Sequence, residues 1–214
     1  MLKRLVAVSL TVAVLALAGN VGATPMVTLT TSSLRDGSFG GGPFSADLLG
    51  NAKNPDFLTF CIEINEHISL PGTYDYSVGM YAVKGGQGGP KPDPLDERTA
   101  YLFRGFLNGS LGVDTIVEAQ ALQEAIWRIE QETSTSWYSS TTDDTLANFY
   151  LTESTKAVKD NFYGVQVMNL TSKDSTGATV QNQSMLYVPE PGMFILLGPG
   201  LLGLGLLRRR MKKA

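Results

Sequence analysis

The sequence predicts an α+β protein: a β-sandwich or barrel with a helical insertion, bracketed by a short apolar segment at each end of the chain. Three observations lead there. Apolar and polar residues alternate between Met26 and Val83 and again between Phe162 and Val188, as in half-buried strands. Between these blocks, from about 95 to 160, the apolar period lengthens to that of helices. The order of strands, helices and strands then makes the helices an insertion into a β framework.

In chain order, Met26 to Leu34 alternates like an edge strand, and Asp36 to Gly42 is a glycine-rich turn region. Strands follow at Phe57 to Ile64 and Thr73 to Val83. Gly85 to Gly89 is followed by a proline-rich stretch to Pro94, which reads as a loop and not as a phosphate-binding fingerprint. Helical periodicity runs from Leu95 to Leu107 and from Asp114 to about Glu132, and Thr142 or Asp143 caps a third helix reaching about Val158. The last strands are Phe162 to Leu170 and Thr179 to Val188.

The chain ends carry targeting information. Lys3 and Arg4 precede the apolar run Leu5 to Ala18, and small residues lead to Val21 and Ala23, the order of a signal peptide cut between Ala23 and Thr24. At the other end Pro189, Glu190 and Pro191 stay extended beside an apolar run from Met193 to Leu207. Arg208, Arg209 and Arg210 follow and hold that end in the cytoplasm by the positive-inside rule. The apolar run is short against the ~20 residues of an upright spanning helix, a deficit that snorkelling arginines offset. The expected organisation is a signal peptide over 1–23, an extracellular domain over 24–188 and a transmembrane sorting tail over 189–214.

The body, about 165 residues, is the size of one domain. Seven of the seventeen basic residues lie in the two ends, leaving about 10 cations against 20 anions. Such an acidic body has no basic groove for nucleic acid. One cysteine, Cys61, makes no internal disulfide, and with one histidine, His67, it does not fill a zinc shell without several carboxylates. No cofactor is expected.

Two residues stand out from their patterns. Along Phe57 to Ile64 the apolar Leu58, Phe60, Ile62 and Ile64 share a face, which turns Cys61 to the other face, between Thr59 and Glu63. On the helix from Asp114, Gln123 falls about 20° from Ile116, close to Ala119, Ile126 and Trp127, near the middle of the apolar stripe. A buried primary amide costs roughly 1–3 kcal/mol unless it is paired, so either a backbone partner or a chemical role is expected for Gln123. Glu63 and Glu124 are close in sequence to the two, and the sequence leaves open whether they assist chemistry there or are simply solvated. A Cys61–His67 hydrolase pair is disfavoured: along a continuing strand they lie about 20 Å apart, and a turn at Asn65 and Glu66 pairs His67 with Ile64 instead.

Two family resemblances follow from these residues. The tail, with Pro189, Glu190 and Pro191, the glycine- and leucine-rich run and Arg208 to Arg210, resembles PEP-CTERM proteins, substrates of exosortase in Gram-negative bacteria that make exopolysaccharide. This implies processing by exosortase, passage through the membrane, and delivery to the cell surface or extracellular matrix. The segment Gln123, Glu124, Ala125, Ile126, Trp127, with Phe60 and Cys61 upstream, resembles the thioester domains of bacterial surface adhesins, in which a cysteine is acylated by the glutamine of a Thr-Gln-x-Ala-Ile-Trp motif. Leu122 stands where that family has threonine. The resemblance implies a Cys61–Gln123 thioester that couples once to a partner amine, a linker and not an enzyme. The competing expectation is a non-covalent binding or structural module of the matrix.

Overall fold

In the computed structural model, which describes residues 24–35, 41–48, 55–85, 91–132 and 144–189, eight strands and three helices follow the predicted block order. The strands are β1 (Met26–Thr31), β2 (Phe44–Asp47), β3 (Phe57–Thr59), β4 (Gly72–Gly79), β5 (Tyr81–Ala82), β6 (Asp93–Pro94), β7 (Gln166–Lys173) and β8 (Thr179–Tyr187). The helices α1 (Glu97–Leu107), α2 (Ile116–Ile129) and α3 (Asp144–Ser154) lie between β6 and β7 in sequence. Six strands form one antiparallel sheet in the order β3-β2-β1-β4-β7-β8, and β5 pairs with β6 in a small ribbon. The fold is α+β with one curled sheet, a half-barrel, instead of two sheets packed face to face.

The curl brings the ends of the sheet together. The chain leaving β3 runs beside β8: Leu186 N–H donates to Phe60 O (3.0 Å), Ile62 N–H donates to Ser184 O (2.9 Å), and Cys61 bridges Met185. Strand β1, expected at an edge, is central, with β2 on one side (Leu29 opposite Ala46) and β4 on the other (Val27 opposite Tyr74). Its alternation reports one buried face, and that pattern is shared by interior strands of an antiparallel sheet.

Two apolar clusters result. One holds Val27, Leu29, Phe44, Ala46, Met168, Leu170 and Met185 from a single face of the sheet, joined by Cys61 and by Trp127 from α2. The other lies between the sheet and the helices, with Phe60, Ile62, Phe103, Leu122, Ile126, Tyr150, Val167 and Leu186. Alternation sorts residues between them: on β7 Val167 faces the helices and Met168 the other cluster, and on β8 Leu186 and Met185 divide the same way.

Helix α2 positions the candidate site. Thr115 accepts from Glu118 N–H while the Glu118 carboxylate accepts from Thr115 N–H, a capping box that starts the helix at Ile116, two residues after the expected Asp114. From Ala119 to Trp127 every residue is buried, and Ile116 is 37 % exposed, so the stripe begins at Ala119 and widens to the whole circumference. The helix ends with Gln131 at φ +63°. Gln131 N–H donates to Arg128 O and Glu132 N–H donates to Trp127 O, which is the Schellman closure. That turn brings the Glu132 carboxylate to Ile64 N–H (3.0 Å) and ties the helix end to the segment after Cys61.

Acidic residues collect around the same end of α2. Burial pushes the Glu130 carboxyl up to about 8 and the Asp93 carboxyl up to about 6; Glu132 and Asp96 raise Asp93 further, and Asp96 and Asp93 raise Glu130. Both groups favour the protonated form in the fold and the ionised form when unfolded. Their ionisation penalty is absent below the ordinary carboxylate range, grows as pH rises towards about 8, and is constant above it. Stability measured by urea unfolding is therefore expected to rise by on the order of a few kcal/mol between pH 8 and pH 5. Glu130→Gln should flatten most of that slope.

Candidate functional site

Cys61 sits in the irregular stretch that follows β3, fixed by the flanking hydrogen bonds of Phe60 and Ile62 to β8. The expected strand from Phe57 to Ile64 ends at Thr59. Its alternation persists as far as Phe60 and Ile62, which enter the helix-side cluster, and breaks at Ile64, which packs against the cluster containing Cys61. Cys61 faces away from Phe60 as expected, yet it is buried at 2 % exposure, so its face is a second core and not a polar surface.

Gln123 is 0 % exposed and meets Cys61 across the sheet–helix boundary. Cys61 Sγ–H donates to Gln123 Oε1 at 3.3 Å, and Gly42 N–H donates to the same oxygen at 2.9 Å. Gln123 Nε2 donates to Cys61 O at 2.8 Å. This pattern fixes the orientation of the amide, since the flipped form would set its NH2 group against two donors. Trp127, one helical turn on, lies on the same face of α2 and joins Cys61's cluster.

Burial is the largest influence on the thiol and pushes it up to about 12, against smaller opposing contributions from the Cys61 and Gly42 backbone, from Arg35 and from Trp127. A free thiolate is scarce in such a site. Any acyl transfer here moves the thiol proton as the sulfur attacks. The geometry suits that: the S–H bond is directed at the carbonyl oxygen and the Gly42 N–H is placed where negative charge would develop.

Gly42, which the sequence places in a glycine-rich turn region, contacts the candidate site through its backbone N–H. A Cβ there would lie 3.0 Å from Thr59 O and 3.1 Å from Phe60 Cα, so the 41–42 peptide approaches β3 more closely than a side chain permits. The signal available in the sequence was the run Gly40, Gly41, Gly42 ahead of a strand, which marks close backbone approach as readily as a turn.

A cavity of ≈ 60 Å³ opens beside the sulfur, lined by Arg35, Phe44, Cys61, Glu66, His67 and Gln183 among others. It has room for about two waters or for a terminal amino group. His67 is thus neither 20 Å from Cys61 nor paired with Ile64, because the chain turns back after Ile62. Among the described residues no hydrogen bond joins His67 to Cys61, whose thiol is directed at Gln123. Gln183 holds the returning segment: its Nε2 donates to Glu63 O (2.8 Å) and Glu66 O (2.6 Å), and its Oε1 accepts from Ser184 N–H (2.9 Å). The Lys84 ammonium pairs with Glu66 at 3.2 Å at the rim.

Glu63 and Glu124 are 0 % and 1 % exposed, so of the two alternatives for them simple solvation does not hold. Glu124 pairs with Arg128, which also reaches Asn148 on α3. Leu122 packs in the helix-side core. Among the described residues no group of three or more His, Cys, Asp or Glu side chains is placed to hold a metal ion, and no helix is long and apolar enough to cross a membrane. Of the sorting motif, Pro189 is exposed just after β8, while Glu190, Pro191 and Arg208 to Arg210, like the 1–23 segment, lie outside the described residues. Compared with known proteins, the chain matches no family model, no curated protein and no solved structure.

Proposed function

We propose that the protein is exported, sorted by exosortase to the cell surface or biofilm matrix, and attached there covalently to a partner amine through an internal thioester between Cys61 and Gln123. The observation that carries the thioester is the three-part contact at Gln123 Oε1 and Nε2: a thiol and a backbone N–H on the carbonyl oxygen, and a backbone carbonyl on the amide nitrogen. In forming the bond, Sγ adds to the Gln123 Cδ, the carbonyl electron pair moves to Oε1, and collapse breaks Cδ–N. The thiol proton leaves with the nitrogen as ammonia. An incoming primary amine reverses the roles, forming a stable amide on Gln123 and restoring the Cys61 thiol. The adjacent cavity offers it a path, while burial of the sulfur limits access of bulk water.

Incubating the native protein with methylamine tests this reading. The expected product carries one methylamide at Gln123 and a Cys61 thiol newly open to alkylation after denaturation; a chain that takes up no methylamine argues against it. Sorting rests on the terminal sequence alone. Terminal sequencing of protein from the native surface should find Thr24 first and nothing beyond the Pro-Glu-Pro motif, and retention of Arg208 to Lys213 would reject processing.

A second reading is a binding or structural module without the covalent bond. It is favoured by the same hydrogen bonds, because Gly42 N–H and Cys61 O already satisfy the buried amide of Gln123.

A further inference from the structure

We infer that Arg35 is a positioning residue for acyl transfer at Gln123, acting through the Gly41–Gly42 peptide; this rests on the thioester reading. Arg35 Nε–H donates to Gly41 O at 2.7 Å, and Gly42 N–H donates to Gln123 Oε1 at 2.9 Å. The Gly41 carbonyl and the Gly42 N–H are opposite ends of one planar peptide unit. A cation therefore grips the carbonyl end of the group whose N–H end points at the carbonyl under attack. Charge-assisted bonds of this kind are short and strong, and a hydrogen bond at a peptide oxygen polarises that peptide and strengthens what its N–H donates.

The relay is held on every side. The Arg35 guanidinium lies 4.9 Å over the Phe44 ring, and Arg35 N–H donates to Ser32 O. Ser32 Oγ donates to Pro43 O at 2.7 Å, fixing the chain just beyond the peptide. Gly42 has no space for a side chain against Thr59 and Phe60, so the peptide seats closely on β3. The same arginine favours the thiolate form of Cys61, in keeping with a positive charge facing the reacting centre. As Sγ adds to Cδ, charge gathers on Oε1, and the polarised Gly42 N–H stabilises it; the tetrahedral species formed by an incoming amine places its charge on the same oxygen. Arg35 therefore assists both formation and aminolysis of the bond and is changed by neither.

Three substitutions in the full exported chain separate charge from packing. Arg35→Lys keeps the charge and an N–H donor, Arg35→Gln keeps a neutral donor, and Arg35→Met keeps an apolar stem over Phe44. The readouts are the fraction of chains that have lost ammonia, the methylamine rate by intact mass, and the thermal midpoint. Removing a direct oxyanion donor costs about 10²–10³ in rate, so a relay one peptide away is expected to cost about tenfold. The Gln and Met variants should slow by about that factor while the Lys variant stays within about threefold of wild type. Wild-type rates in the Gln or Met variant would overturn the inference, and so would a folded Lys variant as slow as Met. If the Met variant does not fold, the Gln and Lys pair decides between these outcomes. A wild-type chain at its unmodified mass would sink the thioester reading itself, and this inference with it.

Discussion

Cys61→Ala and Gln123→Ala are each expected to abolish both the loss of ammonia and the uptake of methylamine, and the double variant to lose no further reactivity. The two side chains make one functional group, so their effects on reactivity do not add. Their effects on stability should differ. Both remove a cross-link spanning 62 residues, which by loop entropy is worth up to about 4 kcal/mol. Gln123→Ala in addition removes Oε1, the acceptor that the thioester keeps for the buried Gly42 N–H, a further ~1–3 kcal/mol. Cys61→Ala removes only a small buried sulfur. Urea unfolding should therefore rank wild type above Cys61→Ala and Cys61→Ala above Gln123→Ala. Equal stability in all three would mean that neither the cross-link nor the hydrogen bonds contribute.

Trp127→Ala should lower stability by about 3–5 kcal/mol. The indole is 2 % exposed and carries α2 into the cluster formed by Val27, Leu29, Met168 and Leu170, so no other side chain of the helix fills that volume. The void would lie beside Cys61 and admit water to the candidate bond. Hydrolysis of the bond frees the thiol, so alkylation of Cys61 in native protein, absent in wild type, should appear together with the stability loss. Trp127→Phe retains most of the volume and should lose no more than about half as much. A Trp127→Ala protein within 1 kcal/mol of wild type would mean that the cluster closes over the gap.

The block order was legible because apolar periodicity is a local property: the shift from strand to helix period near Leu95 survives in the structure as β6 followed by α1. The burial of Gln123 was legible for the same reason, since its angle on α2 follows from helix geometry alone. Other features depend on contacts distant in sequence. Thr59 ends β3 because the following residues change partner from β2 to β8, and nothing within Phe57 to Ile64 encodes β8. The central position of β1 is fixed by β4, more than forty residues later. Nothing local in the sequence separates Glu63 and Glu124 from solvated charges; only the packing of α2 on all sides, and Arg128 one turn away, makes a buried Glu124 tenable. Gly42 and Arg35 were hidden for a related reason: in the proposed account Gly42 acts through its backbone N–H, and the Arg35 side chain acts through the backbone carbonyl of Gly41, groups that every residue possesses.

The central claim is a covalent bond between Sγ of Cys61 and Cδ of Gln123. Its most direct measurement is the intact mass of the mature protein, purified without added amines and compared with the Cys61→Ala variant, with the thiol titrated by alkylation before and after denaturation. The account predicts a wild-type mass short by one ammonia, no alkylation in either state, and an unmodified mass for the variant apart from the substitution. A wild-type chain at full mass, whose Cys61 is alkylated once the fold is opened, would contradict it.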